Sequence, residues 1–166
     1  MVNLKRLLMV LGCLLLFTGC ASQLGKQATG SAGVSEKNQQ QLAQRMEEMY
    51  QLGRKQQEAA QFSEAITTYE HILAINPNHA EAHNGLGVIY AIQGRFEPAL
   101  QHLQKAVSLA PLASHLRNNL GYAYLLMGRD AEAIGAFEHA LRLDPENVNA
   151  RANLNAIRNK TETTGD

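Results

Sequence analysis

The 166-residue chain has no tryptophan, only 2 cysteines and only 4 prolines, and aromatic residues make up 5% of it. With so few rings, a core has to be built mainly from Leu, Ala and Ile. Both cysteines, Cys13 and Cys20, lie close to the N-terminus, so a disulfide framework for the rest of the chain is excluded. Neither sign of charge is in excess, since 15 Lys+Arg balance 15 Asp+Glu. A nucleic-acid-binding surface needs surplus Lys and Arg to neutralise phosphates, so no nucleic-acid partner is expected. What is present points to a folded helical chain. Hydrophobic residues make up 45%, which excludes a wholly disordered chain, and the length suits one ordinary domain. Long stretches rich in Ala, Leu, Gln and Glu favour helix.

The first residues read as a secretory signal. Lys5 and Arg6 precede an apolar run from Leu7 to Phe17, shorter than the ~20 residues a spanning helix needs. Leu16-Phe17-Thr18-Gly19-Cys20 resembles the bacterial lipobox. The resemblance implies a signal peptide over 1–19, cleavage before Cys20 and acylation of its thiol. Val10-Leu11-Gly12-Cys13 fits the same pattern, but it leaves an apolar core of about six residues, below the roughly 7–15 a signal needs. Ala21 stands where an Asp would retain a Gram-negative lipoprotein at the inner membrane. The expected location is therefore the outer membrane, lipid-anchored and facing the periplasm. Gly25, Gly30 and Gly33 among small polar residues predict a flexible tether over 20–34, with Ser35 as the next helix N-cap.

From Met46 onward the chain repeats itself with a period of about 34 residues. Leu52-Gly53, Leu86-Gly87 and Leu120-Gly121 keep this interval, as do Ala65, Ala99 and Ala133, and Pro77, Pro111 and Pro145. Tyr69, Leu103 and Phe137 share one large apolar slot. Independent signals that share one period define a repeat array. These residues resemble the tetratricopeptide repeat (TPR), whose pattern sets Leu-Gly on a first helix, Ala and a large apolar residue on a second, and Pro after it. The resemblance implies an all-α helical solenoid of three helix-turn-helix repeats, at 46–79, 80–113 and 114–147. Gly94 and Gly128 mark the turns inside units two and three, with Ala60 at that place in unit one. A C-terminal capping helix is expected over 148–160, to cover the open end of the stack, followed by a disordered tail over 161–166. The tether, this repeat domain (35–160) and the tail make up the expected mature chain.

No catalytic site is legible. Walker A, G-x-S-x-G and G-x-G-x-x-G are all absent. His79 and His83 are four apart, but Glu81 between them is misplaced for H-E-x-x-H, so no metal site is expected. No cofactor is expected either.

Family geometry turns the first helices toward a concave face. The inward positions it implies are Glu47, Tyr50, Arg54, Gln57 and Glu58 in unit one. In unit two they are Glu81, Asn84, Val88, Ala91 and Ile92, and in unit three His115, Asn118, Tyr122, Leu125 and Leu126. Tyr50 and Gly85 stand where the family's carboxylate clamp wants polar or basic groups. What remains is an apolar floor (Val88, Ile92, Tyr122, Leu125, Leu126) beside an amide rail of Asn84 and Asn118, with Asn119 and Asn153 as a second pair. Asn amides donate and accept, so such a rail suits a peptide backbone, and the floor suits apolar side chains. Asn can equally satisfy the scaffold.

The expected function is a non-enzymatic, membrane-anchored adaptor that binds a protein or peptide partner in this groove. The layout is similar to the small TPR lipoproteins of type IV and tight-adherence pilus and secretin assembly. Scaffolding of peptidoglycan enzymes or of outer-membrane protein insertion, and an accessory role in a glycosyltransferase or polysaccharide system, stay open as alternatives.

Overall fold

A computed structural model describes the backbone of residues 21–163 and the side chains of 35–159. The expected signal peptide, Cys13 and the lipidated Cys20 lie outside the described residues. Seven helices and no strand occur among those described. They are α1 (Ala21–Glu58), α2 (Phe62–Ile75), α3 (Ala80–Ile92), α4 (Phe96–Leu109), α5 (Ser114–Leu126), α6 (Asp130–Leu143) and α7 (Val148–Thr163). None is long and apolar enough to cross a membrane. The chain divides into two compact units, Met1–Arg45 and Met46–Asp166. The second begins where the repeat period begins.

Two boundaries differ from expectation. The glycines predict a tether over 21–34, but α1 starts at Ala21. Each glycine there disfavours helix by about 1 kcal/mol relative to Ala. Around them stand Leu24, Lys26, Gln27 and Ala28, all good helix formers, and no proline interrupts the ladder. At the other end α7 runs to Thr163 rather than stopping at Lys160, since no proline or glycine stands before Gly165. Residues 164–166 of the expected tail lie outside the described residues.

Within Met46–Asp166 the repeat chemistry explains the packing. Ala65, Ala99 and Ala133 are fully buried on the second helices α2, α4 and α6. The Leu-Gly glycines lie against the large apolar slot of the same unit. A Cβ on Gly53 would sit 2.7 Å from the Tyr69 ring, on Gly87 2.5 Å from Leu103 Cγ, and on Gly121 2.7 Å from the Phe137 ring. The helices of a pair therefore approach at glycine. Ala60, Gly94 and Gly128 turn each pair with φ of 56°, 72° and 71°. Only Ala60 carries a Cβ in that left-handed region, a strain of roughly 1–2 kcal/mol. Asn76 and Asp144, each followed by Pro, end α2 and α6, and their carboxamide and carboxylate oxygens accept from the backbone N–H of Asn78 and Glu146 at 3.1 and 3.0 Å.

The ends of the stack are marked by the same slots. In α3, Ala82, Leu86 and Ile89 are buried; in α5, Leu116, Leu120 and Ala123; in α7, Ala150, Leu154 and Ile157. The matching residues of α1 are Glu48, Leu52 and Lys55, all exposed, with Leu52 49% accessible. Two charged residues at these slots make that face a solvated end rather than a packing surface. At the far end Arg151, Asn155 and Arg158 are exposed on α7. The polar side of α7 closes the stack.

Candidate peptide-binding groove

The first helices pack side by side, α3 against α5 and α5 against α7. The asparagines stitch them together. Asn153 Nδ2 donates to Asn118 Oδ1 at 3.0 Å, Asn118 Nδ2 to Asn119 Oδ1 at 3.2 Å, and Asn119 Nδ2 to Asn84 Oδ1 at 2.9 Å. Each link between helices joins the fifth residue of one unit to the sixth of the next. Asn118 is only 7% exposed. The expected rail of Asn84, Asn118, Asn119 and Asn153 is thus a chain of amides bonded to one another, because adjacent first helices bring them within reach before any ligand does. Between units one and two the corresponding residues are Tyr50 and Gly85, and no amide link can form. The Tyr69 ring fills that place: a Cβ on Gly85 would sit 2.4 Å from it. This is the physical reason a clamp side chain is missing there.

The apolar floor is open in part. Ile92, Tyr122 and Leu126 are 48%, 36% and 40% exposed. Tyr122 and Leu126 are one helical turn apart on α5, and Ile92 is the counterpart of Leu126 on the neighbouring α3. Val88 and Leu125 are half-buried, Val88 against the main core and Leu125 against the Ala133 and Phe137 cluster. Ala91, expected to face inward, is buried.

Tyr50, Arg54 and Asn84 come together with three other expected inward residues and with Tyr69 and Gly85, which lie outside that set. They line a cavity of about 120 Å³ with Gln57, Glu58, Tyr69, Glu81 and Gly85. Tyr69 reaches it from α2, donating its hydroxyl to Gln57 Oε1 at 3.0 Å. Tyr50 and Tyr69 have ring centroids 6.4 Å apart. Burial, with the charge of Glu81, raises the Tyr50 pKa, so its hydroxyl stays protonated. Arg54 pairs with Glu58 at 3.1 Å, one turn away. Glu81 pairs with His115 at 2.9 Å. These two stand one repeat period apart, so the period itself could have revealed the link.

The histidines separate. His79 caps α3, its Nδ1 accepting from Ala82 N–H at 3.1 Å, whereas His83 Nδ1 faces His102 Nδ1 at 2.9 Å. Among the described residues no three His, Cys, Asp or Glu side chains converge as metal ligands.

The Glu81–His115 pair gives a pH dependence. Their hydrogen bond holds His115 above its ordinary 6.5, against burial, and Glu81 below its ordinary 4.5. The His115 contribution is complete below 6.5 and lost as pH rises through its raised value. The Glu81 contribution is complete above 4.5 and lost as pH falls through its lowered value. The pair therefore stabilises most between 4.5 and 6.5. His115 is half exposed, which limits the gain to ~0.2–1 kcal/mol. The melting difference between wild type and His115→Gln should peak near pH ~5.5 and shrink toward pH ~8.5. A difference independent of pH would show that the pair contributes nothing.

Comparison with known proteins agrees with this repeat fold. The tetratricopeptide-repeat profile matches residues 50–114 and 93–148. No curated protein matches significantly. Among solved structures, a Thermobaculum terrenum O-GlcNAc transferase superposes with a TM-score of 0.66 at 24% identity over 68% of this chain, which spans 22% of the transferase. The Arabidopsis OM64 TPR domain gives 0.62 at 24% identity, over 69% of this chain and 94% of that one. The first TPR of Spaghetti, bound to an HSP90 peptide, gives 0.64 at 22% identity, over 72% of this chain and 94% of that one. At these identities the likeness is one of fold.

Proposed function

Because the chain belongs to the tetratricopeptide-repeat family, we propose that it is an adaptor that holds a segment of a protein partner along its first-helix face. The observation behind this is the exposed strip of Ile92, Tyr122 and Leu126 on adjacent first helices. Isolated exposed apolar residues are ordinary on a surface, but a strip shared by two units suits apolar side chains of a partner. The occupant is a polypeptide segment carrying such side chains. The peptide seen on the Spaghetti repeat supports a polypeptide as ligand class.

Our reading extends to a lipid anchor on Cys20 in the outer membrane and a role in pilus and secretin assembly in the periplasm. The charged start, short apolar run and Gly19-Cys20 support the anchor, and the small repeat array beside it supports the role. Cells fed a clickable fatty acid should label the protein, and Cys20→Ala should lose the label. If the label persists there and vanishes in Cys13→Ala, cleavage occurs at Cys13 instead. Crosslinking and pull-down from membranes tests the role: pilus or secretin proteins are expected, and wall hydrolases or insertion factors would overturn it.

A further inference from the structure

Resting on the groove reading above, we infer that the cavity between units one and two is a subsite for a cationic side chain, lysine or arginine, of the bound polypeptide. Its lining holds two carboxylates, Glu58 and Glu81, against one guanidinium, Arg54. Glu58 is paired only on the exposed surface, whereas Glu81 accepts from His115 at 2.9 Å and from Tyr50, neither of them a permanent cation. Arg54 and Glu58 form an exposed pair one helical turn apart, their side chains 50% and 65% accessible, and such pairs are the weakest class of ion pair. Glu81 is the less exposed carboxylate, at 31%, and its partner is an imidazole. An imidazole loses its charge on the alkaline side of neutrality, whereas lysine and arginine keep theirs. The charged and titratable groups facing Glu81 are Tyr50 and Arg54 from α1, His79 at the start of α3, and His115 from α5. None is a permanent cation bound to it.

The walls suit the same guest. Tyr50, half-buried at the cavity, presents aromatic surface, which attracts an alkylammonium or guanidinium placed over it, with Tyr69 behind it. Tyr69 is buried and fixed between Gly53 and Gly85, so that wall is rigid. Gln57 and Asn84 supply side-chain oxygens, although Asn84 Oδ1 already accepts from Asn119 and Gln57 Oε1 from Tyr69. An anionic guest would meet two carboxylates at close range. The site is thus opposite in sign to one that captures a carboxylate.

The test is a ¹⁵N NMR titration of the full chain in detergent micelles. The probes are N-acetyl-arginine methylamide, N-acetyl-lysine methylamide and the uncharged N-acetyl-norleucine methylamide. Saturable shifts at the Tyr50, Gln57 and Gly85 amides are expected with both cations and not with norleucine. Glu58→Gln with Glu81→Gln should weaken cation binding about tenfold or more. Equal shifts from norleucine, no saturable shift, or unchanged affinity in the double variant overturns the subsite. If the double variant fails to fold, Glu58→Gln alone, at an exposed position, must still weaken binding. The groove reading is judged separately by crosslinking. If the partner stays on the folded carboxylate variant but leaves a variant of the Ile92–Tyr122–Leu126 strip, the subsite is wrong and the groove stands.

Discussion

Gly87→Val should lower the unfolding free energy by ~1–3 kcal/mol or more, the usual cost of forcing extra carbon into a packed crossing. A Cβ at Gly87 would stand 2.5 Å from Leu103 Cγ and 3.1 Å from the Ala99 carbonyl oxygen. Leu103 is fully buried and the second neighbour is backbone, so neither can swing away cheaply. Losing glycine from a helix gains at most ~1 kcal/mol, which does not offset the clash. Gly135 provides the control. It is exposed in α6, and a Cβ there meets nothing within 4 Å. Gly135→Ala should therefore raise stability by ~0.5–1 kcal/mol. Urea melts followed by far-UV circular dichroism would measure both. If Gly87→Val melts with wild type, α3 and α4 do not approach at glycine, and the account of the Leu-Gly pairs fails.

The crossing was legible because it is written three times. Leu-Gly, Ala and the large apolar slot recur at one period, and periodic signals survive ignorance of the partners they touch. Boundaries were less legible. The start of α1 depends on whether three glycines outweigh the helix formers between them, a balance of about 1 kcal/mol each that composition alone misjudges. For the amides of the groove, sequence left ligand contact and scaffold support both open. Sequence placed Asn84, Asn118, Asn119 and Asn153 on the first helices, but whether they face a ligand or one another depends on the spacing of adjacent helices. Tyr69 was read as a core residue alone, for a related reason. It occupies a core slot on α2, and only Gly53 and Gly85 on either side let its hydroxyl reach the groove. The Glu81–His115 pair was available from the period, had opposite charge types at one repeat position been sought.

Partner binding should fall about tenfold or more when the open strip is made polar, with the fold retained. Ile92, Tyr122 and Leu126 are each at least a third exposed, so Ile92→Ser with Leu126→Ser removes little from the core. Each side chain that enters a partner's apolar surface contributes ~1.5–3 kcal/mol when fully buried. Partial burial of two gives the lower end of that range, and about 1.4 kcal/mol is a factor of ten in affinity. Asn118→Ala should behave in the opposite way. It strips the donor to Asn119 and the acceptor for Asn153, leaving polar groups unpaired at a cost of ~1–3 kcal/mol in stability. Far-UV melts and quantitative crosslinking of the same variants separate the two effects. A serine double variant that folds and holds its partner as tightly as wild type would remove the strip from the binding surface. An Asn118→Ala protein of unchanged stability that releases its partner would return the asparagines to the role of ligand contacts.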